Sequence, residues 1–204
     1  LNQMKGTHLL MAKVMYGGGL RLMECLRLRV MDLDFAKSQV YVRGKGGKDR
    51  FTTLSPSIYD DLETQLLRVK KLHETDLDAG YGDVYLPEAL ARKYRNASKE
   101  YRWQYVFPAK KLSKDPRSEM FRRHHVLESG LQKALKIAVD RAGITKRVGT
   151  HTLRHSFATH QLEDGVNIRV VQELMGHADV KTTEIYTHVM EKDIQAVSSP
   201  LETL

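Results

Sequence analysis

The sequence predicts an α+β domain, mostly helical with one small antiparallel β-sheet. Three observations support this. Apolar residues recur at helical spacing, as in Leu22, Cys25 and Leu26, and again in Ile58, Leu62, Leu66 and Val69, the i, i+3, i+4 pattern of an amphipathic helix. Strand-like alternation is concentrated in "VMDLDF", "SQVYVR" and "DRFTTL", the last two separated by "GKGGK", which reads as a hairpin with a glycine-rich basic tip. A chain of 204 residues, 41% hydrophobic and 28% charged, has the size and composition of one globular domain, or two small ones at most.

The elements follow in order. Leu9, Leu10, Ala12, Val14 and Met15 define a first helix, halted at Gly17-Gly18-Gly19, where glycine permits a close-approach turn. A second helix lies in "LRLMECLRL", with Arg21 and Glu24 three apart on a face away from its apolar stripe. After the strands, Ser55 and Pro56 make an N-cap and N1 pair, opening a long helix through Val69. From about 77 to 116 the pattern is irregular, with helical signals in "PEALARKY" and alternation of Trp103, Tyr105 and Phe107. "VLESGLQKALKIAVDRAGI" is another amphipathic helix, ended by Gly143. A helix from about Thr150 to Gly165 precedes "NIRVVQELMGH", where Asn167 is the expected N-cap and Gly176 the expected terminator. A last helix is expected through "VKTTEIYTHVM", followed by the extended tail "SSPLETL".

A formal net charge of +8 favours a polyanionic partner, nucleic acid or an acidic membrane surface. No apolar run reaches the roughly 20 residues a spanning helix needs, and no signal peptide opens the chain. A start at Leu1 predicts a fragment whose natural N-terminal part is missing. The single cysteine, Cys25, permits no internal disulfide, fits a reducing compartment, and reads as a small buried hydrophobe. Basic residues cluster from Arg92 to Arg123 with Tyr94, Tyr101, Trp103 and Tyr105 among them, a combination suited to phosphate contacts and base stacking.

The stretch "HTLRHSFATH" bears the chemistry. His151 and His155 are four apart, and with His177 they form a conceivable zinc set. Thr152 stands where a metalloprotease helix has its glutamate, and Arg154 would repel a cation, so no metal is expected. His151 and Arg154, three apart on one helix face, instead suit an oxyanion such as phosphate. Arg21 after the glycine turn, Lys45 on the hairpin tip and "GHADVKTTEIYTH" add to this reading.

These segments resemble the tyrosine recombinases, or phage-integrase family. "YGGGLRLMECLRLRVMDLDF" matches the first box, "GKGGKDR" the hairpin lysine, and "HTLRHSFATHQLEDG" with "VQELMGHADVKTTEIYTH" the second box, from about residue 16 to 190. The resemblance implies the catalytic domain of that fold, with Arg21, Lys45, His151, Arg154 and His177 around a scissile phosphate and Tyr186 as nucleophile. Glu24 is the expected support of Arg21. No cofactor is implied, because arginine and lysine supply the charge and a 3′-phosphotyrosine conserves the phosphodiester energy.

"PEALARKYRNASKEYRWQYVFP", "DPRSEMFRRHH" and "SSPLETL" resemble the integron integrases, which insert and excise gene cassettes at folded single-stranded sites with flipped-out bases. This implies an insert at about 78–125, with Lys48, Arg50, Arg122, Arg123, His124, His125 and the insert aromatics as DNA contacts. It also implies a tetramer on paired DNA sites through a docking tail, 191–204, anchored by Leu201 and Leu204. The family's N-terminal core-binding domain is absent from the sequence, and the expected location is the bacterial cytoplasm, at the nucleoid. Rival readings are an Xer or phage-type recombinase, a type IB topoisomerase and a catalytically silent DNA-binding module.

Overall fold

The computed structural model describes residues 1–44, 47–94 and 96–177. The order is α1 (Gly6–Gly18), α2 (Leu22–Leu26), β1 (Leu33–Asp34), β2 (Gln39–Val42), β3 (Arg50–Thr53), α3 (Tyr59–Asp78), α4 (Glu88–Lys93), β4 (Ser113–Lys114), β5 (Phe121–Arg122), α5 (Glu128–Arg141), α6 (Thr150–Glu163) and α7 (Ile168–Met175). The α+β expectation holds: a mostly helical domain with small antiparallel sheets, β1-β2-β3 and β4-β5. The predicted last helix, and the tail 191–204, lie outside the described residues.

Helix α1 is the centre of the core. Met11 and Ala12 are fully buried, with Leu10, Val14 and Met15 nearly so, because α5 and α6 pack against it and the sheet closes another side. Val40, Val42 and Thr52 point from the sheet into that core, in a register that pairs Val40 with Thr52. At the end of α1, Gly19 adopts a left-handed backbone (φ +59°) and returns its N–H to Met15. A Cβ there would stand 2.5 Å from the Phe157 ring, so glycine is required both for its backbone and for the approach of α6. Thr52 and Thr53 of β3 donate their hydroxyls to the Gly18 and Gly17 carbonyls at 2.7 and 2.6 Å, fastening the end of α1 to the sheet just before Arg21.

Local signals read from the sequence are realised where the cap is a nearest-neighbour matter. Ser55 accepts from the Ser57 amide, although Pro56–Ile58 form a 3₁₀ turn before α3 begins. Asn167 caps α7 through the Arg169 amide at 2.8 Å, and Gly176 ends it with φ +63°. "VMDLDF" departs from expectation. The Asp32 carboxylate accepts from the Arg29 amide at 2.8 Å, winding Val30–Asp32 into a 3₁₀ turn and leaving only Leu33–Asp34 for the sheet.

The segment between α3 and α5 builds a small core of its own from Val84, Leu86, Ala97, Trp103 and Tyr105, with Leu90 beside it. It docks on the rest of the domain through Arg29. That buried guanidinium donates to the Trp103 carbonyl at 2.6 Å and the Tyr85 carbonyl at 2.8 Å, and lies 4.0 Å from the centre of the Tyr105 ring. Val106 N–H to Leu28 and Val30 N–H to Gln104 complete the seam. The Trp103, Tyr105 and Phe107 alternation is therefore not a one-faced strand. Tyr101–Trp103 form a 3₁₀ turn, and Tyr105, Val106 and Phe107 are all buried.

Candidate functional site

Three arginines from three separate elements converge on the C-terminus of α7. Arg50 at the start of β3 donates Nε to the Leu174 carbonyl at 2.7 Å. Arg154 of α6 donates to the Met175 carbonyl and to Gly19, each at 2.5 Å. Arg21, between α1 and α2, reaches the Gly176 carbonyl at 3.3 Å. A helix end leaves such carbonyls unpaired and slightly negative, and the guanidinium forks satisfy three in a row. His177 follows directly on this collar.

Glu24 lies at its hub. Its carboxylate accepts from the Arg21 amide and guanidinium, each at 2.8 Å, and from both terminal nitrogens of Arg50 at 3.0 and 2.8 Å, with Arg154 at 3.9 Å. Burial alone would raise this carboxyl, but hydrogen bonds and charge from Arg50 and Arg21 outweigh it and hold it at about 2. His177 is lowered to about 4, first by burial and then by Arg154, Arg21, Arg50 and His155. Its imidazole is therefore neutral at physiological pH.

His151 is exposed in the first turn of α6, one turn ahead of Arg154 and His155. His155 is lowered by burial and then by the charges of His151 and Arg154, so it belongs to the same neighbourhood. Lys45 and Tyr186 lie outside the described residues. The neighbours of Lys45, Gly44 and Lys48, line a cleft of about 1040 Å³ that begins at Arg21 and Gly176 and extends to Trp103 and Tyr85. Arginines dominate its walls, with Glu24 and Asp32 as its carboxylates, a balance suited to a polyanion.

The sequence profile of the phage integrase family matches residues 2–193. The chain belongs to the phage integrase family of tyrosine recombinases. It is 47% identical over 205 residues to proteins named integrase/recombinase from Escherichia coli and Pseudomonas aeruginosa, covering all of this chain and 61% of theirs. It is also 32% identical over 185 residues to tyrosine recombinase XerC of Oceanobacillus iheyensis, covering 90% of this chain and 49% of that one. The chain thus spans about three-fifths of the length of the first of these relatives, and half of the XerC protein. Among solved structures, XerH site-specific recombinase bound to palindromic difH substrate, in a post-cleavage complex, superposes with a TM-score of 0.64 at 22% identity, over 96% of this chain and 46% of that one. The catalytic domain of bacteriophage HP1 integrase gives 0.52 at 19% identity, over 94% and 83%.

Within this tyrosine recombinase domain the expected DNA contacts divide. Lys48 is exposed at the cleft, and His124 and His125 line it half-buried. His125 packs edge-on to Tyr105 and is lowered by burial. Arg50, Arg122 and Arg123 are turned inward. Arg50 has only 8% of its side chain exposed, against Glu24; Arg122 pairs with the fully buried Asp115; Arg123 forks onto Asp76 at 2.5 and 2.6 Å and donates to the Ala109 carbonyl. Each is paired with a carboxylate inside the domain, a commitment the sequence does not reveal. Trp103 and Tyr105 are buried as well, leaving Tyr94 as the exposed aromatic among those two and itself. Trp103 Nε1 and Asp32 Oδ1 are buried without a hydrogen-bond partner, and both residues border the cleft. Among the described residues no group of three His, Cys, Asp or Glu side chains is placed to hold a metal, and no helix is long and apolar enough to cross a membrane.

Proposed function

We propose that the chain is the catalytic part of a site-specific DNA recombinase that cleaves and rejoins DNA through a covalent 3′-phosphotyrosine. The observation that carries this reading is the convergence of Arg21, Arg154 and His177 at the C-terminal end of α7, where Arg21 and Gly176 border one basic cleft. Arg21 and Arg154 grip the non-bridging phosphate oxygens and stabilise the charge that builds there during attack. His177, neutral at its low pKa, donates a hydrogen bond to the same group. A free tyrosine hydroxyl has a pKa of about 10, so the Tyr186 hydroxyl attacks phosphorus as its proton passes to His151. The Tyr186 oxygen–phosphorus bond forms, the bond to the 5′-oxygen breaks, and Lys45 delivers a proton to that oxygen. Rejoining reverses these steps.

Within the family, the reading favoured is an integron integrase acting on folded single-stranded cassette sites. Its support is the segment at about 78–125, an insert that lines the same cleft as Arg21 and brings Arg43 to within 5.7 Å of the Trp103 ring centre. Unstacked bases need an accessible stacking surface. Tyr94, an exposed aromatic of this segment, is the candidate for it. The Xer-like reading draws on the relatives named XerC and XerD. Assembly as a tetramer on DNA through 191–204, in the bacterial cytoplasm at the nucleoid, completes the proposal.

The test offers this chain a nicked duplex and a folded cassette-site strand, and looks for covalent protein–DNA adducts. Adducts on the folded strand support the integron reading, and adducts on duplex sites alone support the Xer reading. Adduct formation by Tyr186→Phe would overturn the nucleophile. DNA binding without any adduct favours a silent binding module, and supercoil relaxation without a partner site favours a topoisomerase. Binding by this chain alone should be weak and steeply salt-dependent.

A further inference from the structure

We propose that Arg50 is a positioning residue for strand cleavage: from β3 it sets Arg21 through Glu24, and His177 through the end of α7. The proposal rests on the recombinase reading of Arg21 and His177. In sequence Arg50 is one more cation beside a basic loop, and a phosphate contact is the natural expectation. Its side chain, only 8% exposed, has other commitments. Nε goes to the Leu174 carbonyl and the two terminal nitrogens to Glu24. Three of its five N–H groups are thus committed inside the domain, one from each nitrogen.

Each of these contacts leads to a residue of the site. The Glu24 oxygens that accept from Arg50 are the same two that accept from the Arg21 amide and guanidinium. Glu24 is therefore pinned between the two, and a carboxylate able to swing would take Arg21 with it. By neutralising Glu24, Arg50 also weakens the hold of that carboxylate on Arg21, which would otherwise compete with a phosphate for the same guanidinium. On the other side, Gly176 packs against the Arg50 stem so closely that a Cβ would stand 2.9 Å from Cδ. With Leu174 held by Nε, the residue before His177 rests on the Arg50 side chain. Arg50 is also among the cations that lower the His177 imidazole. A lysine offers a point charge where this geometry uses a fork, so it can keep the Glu24 contact or the Leu174 contact but not both.

The test uses this 204-residue chain with Arg50→Lys and Arg50→Gln. Four quantities are read: DNA affinity against salt, single-turnover adduct formation on a nicked duplex at saturating protein, thermal melting, and the NMR titration of the His177 ring. Affinity should stay within about twofold of wild type, with the salt slope unchanged, because no phosphate contact is lost. The adduct-forming rate should fall about 100-fold in Arg50→Gln and about tenfold in Arg50→Lys, the scale of a misplacement near 1 Å. The His177 ring resonances should move in both variants, and its titration midpoint should rise in Arg50→Gln.

A wild-type rate in a folded variant overturns the proposal. So does a rate loss that only tracks weaker binding with the salt slope reduced by about one, the mark of a direct phosphate contact. A lower melting temperature with unchanged rate and unchanged His177 resonances reduces Arg50 to a structural role and likewise overturns it. If Arg50→Gln does not fold, Arg50→Lys decides by the same readings. If wild type forms no adduct, the recombinase reading fails separately, and unmoved His177 resonances in the variants then dispose of the Arg50 proposal.

Discussion

Replacing Glu24 with glutamine changes one atom in the hub of the arginine collar and removes its only full negative charge. The folded carboxyl titrates at about 2 against an ordinary 4.5. At about 1.4 kcal/mol per pH unit, ionised Glu24 stabilises the fold by about 3 kcal/mol near neutral pH. Its side chain is 10% exposed and its partner Arg50 8%, so solvent screens little of this. The same figure follows from the other direction, since breaking a buried pair and stranding its cation costs about 3–5 kcal/mol. Glu24→Gln should therefore lower the melting temperature at pH 7 by roughly 10 °C, taking about 2–4 °C per kcal/mol for a chain of this size. Because the folded pKa is depressed, the stabilisation is complete above 4.5 and is lost as pH falls toward 2. The gap between variant and wild type should thus shrink by more than half by pH 3, measured by melting or urea titration across that range. A Glu24→Gln protein as stable as wild type at pH 7 would refute the hub, as would a deficit that persists undiminished at pH 3.

Arg29→Leu should destabilise by about 1–3 kcal/mol for each of the Trp103 and Tyr85 carbonyls, which lose a buried donor. It should also red-shift the fluorescence of Trp103, the one tryptophan of the chain, as the segment between α3 and α5 lifts off; unshifted emission would contradict that seam. Gly19→Ala should cost about 1–3 kcal/mol from its left-handed backbone alone, with a further loss from the clash with Phe157, read as a lowered melting temperature. Cys25 is fully buried and its thiol is pushed up by that burial, so a thiol reagent should label it only on unfolding, and labelling at native rates would show an open α2.

The hairpin, the caps of α7 and the i, i+3 contact of Arg21 with Glu24 were legible in the sequence because each depends on neighbours a few residues away. The placement of Arg50, Arg122 and Arg123 was not. As letters they match the exposed Lys48, and what separates them is a carboxylate, Glu24, Asp115 or Asp76, brought to them only by the fold. Arg123 lies 47 residues from Asp76 and Arg50 lies 26 from Glu24, distances across which no periodicity speaks. The aromatics between α3 and α5 misled for the same reason. Trp103 and Tyr105 alternate like a stacking face, yet Arg29, from the far side of the sheet in sequence, draws both into a core.

The arginine collar also assigns the two proposed phosphate-binding arginines different duties. Arg154 is 4% exposed and holds the Gly19 and Met175 carbonyls at 2.5 Å, tying α1, α6 and α7 together. Moving it would strand buried carbonyls, so any phosphate it meets has to come to it as it stands. Arg21 is 43% exposed, and its bond to the Gly176 carbonyl is long at 3.3 Å. Glu24 anchors one of its terminal nitrogens, while the other holds a carbonyl that a phosphate oxygen, fully charged, outcompetes. The collar is thus preorganised on the Arg154 side and adaptable on the Arg21 side. In the recombinase reading, DNA would displace Gly176 from Arg21 without disturbing the three-helix clasp behind it, and the residue released would stand next to His177.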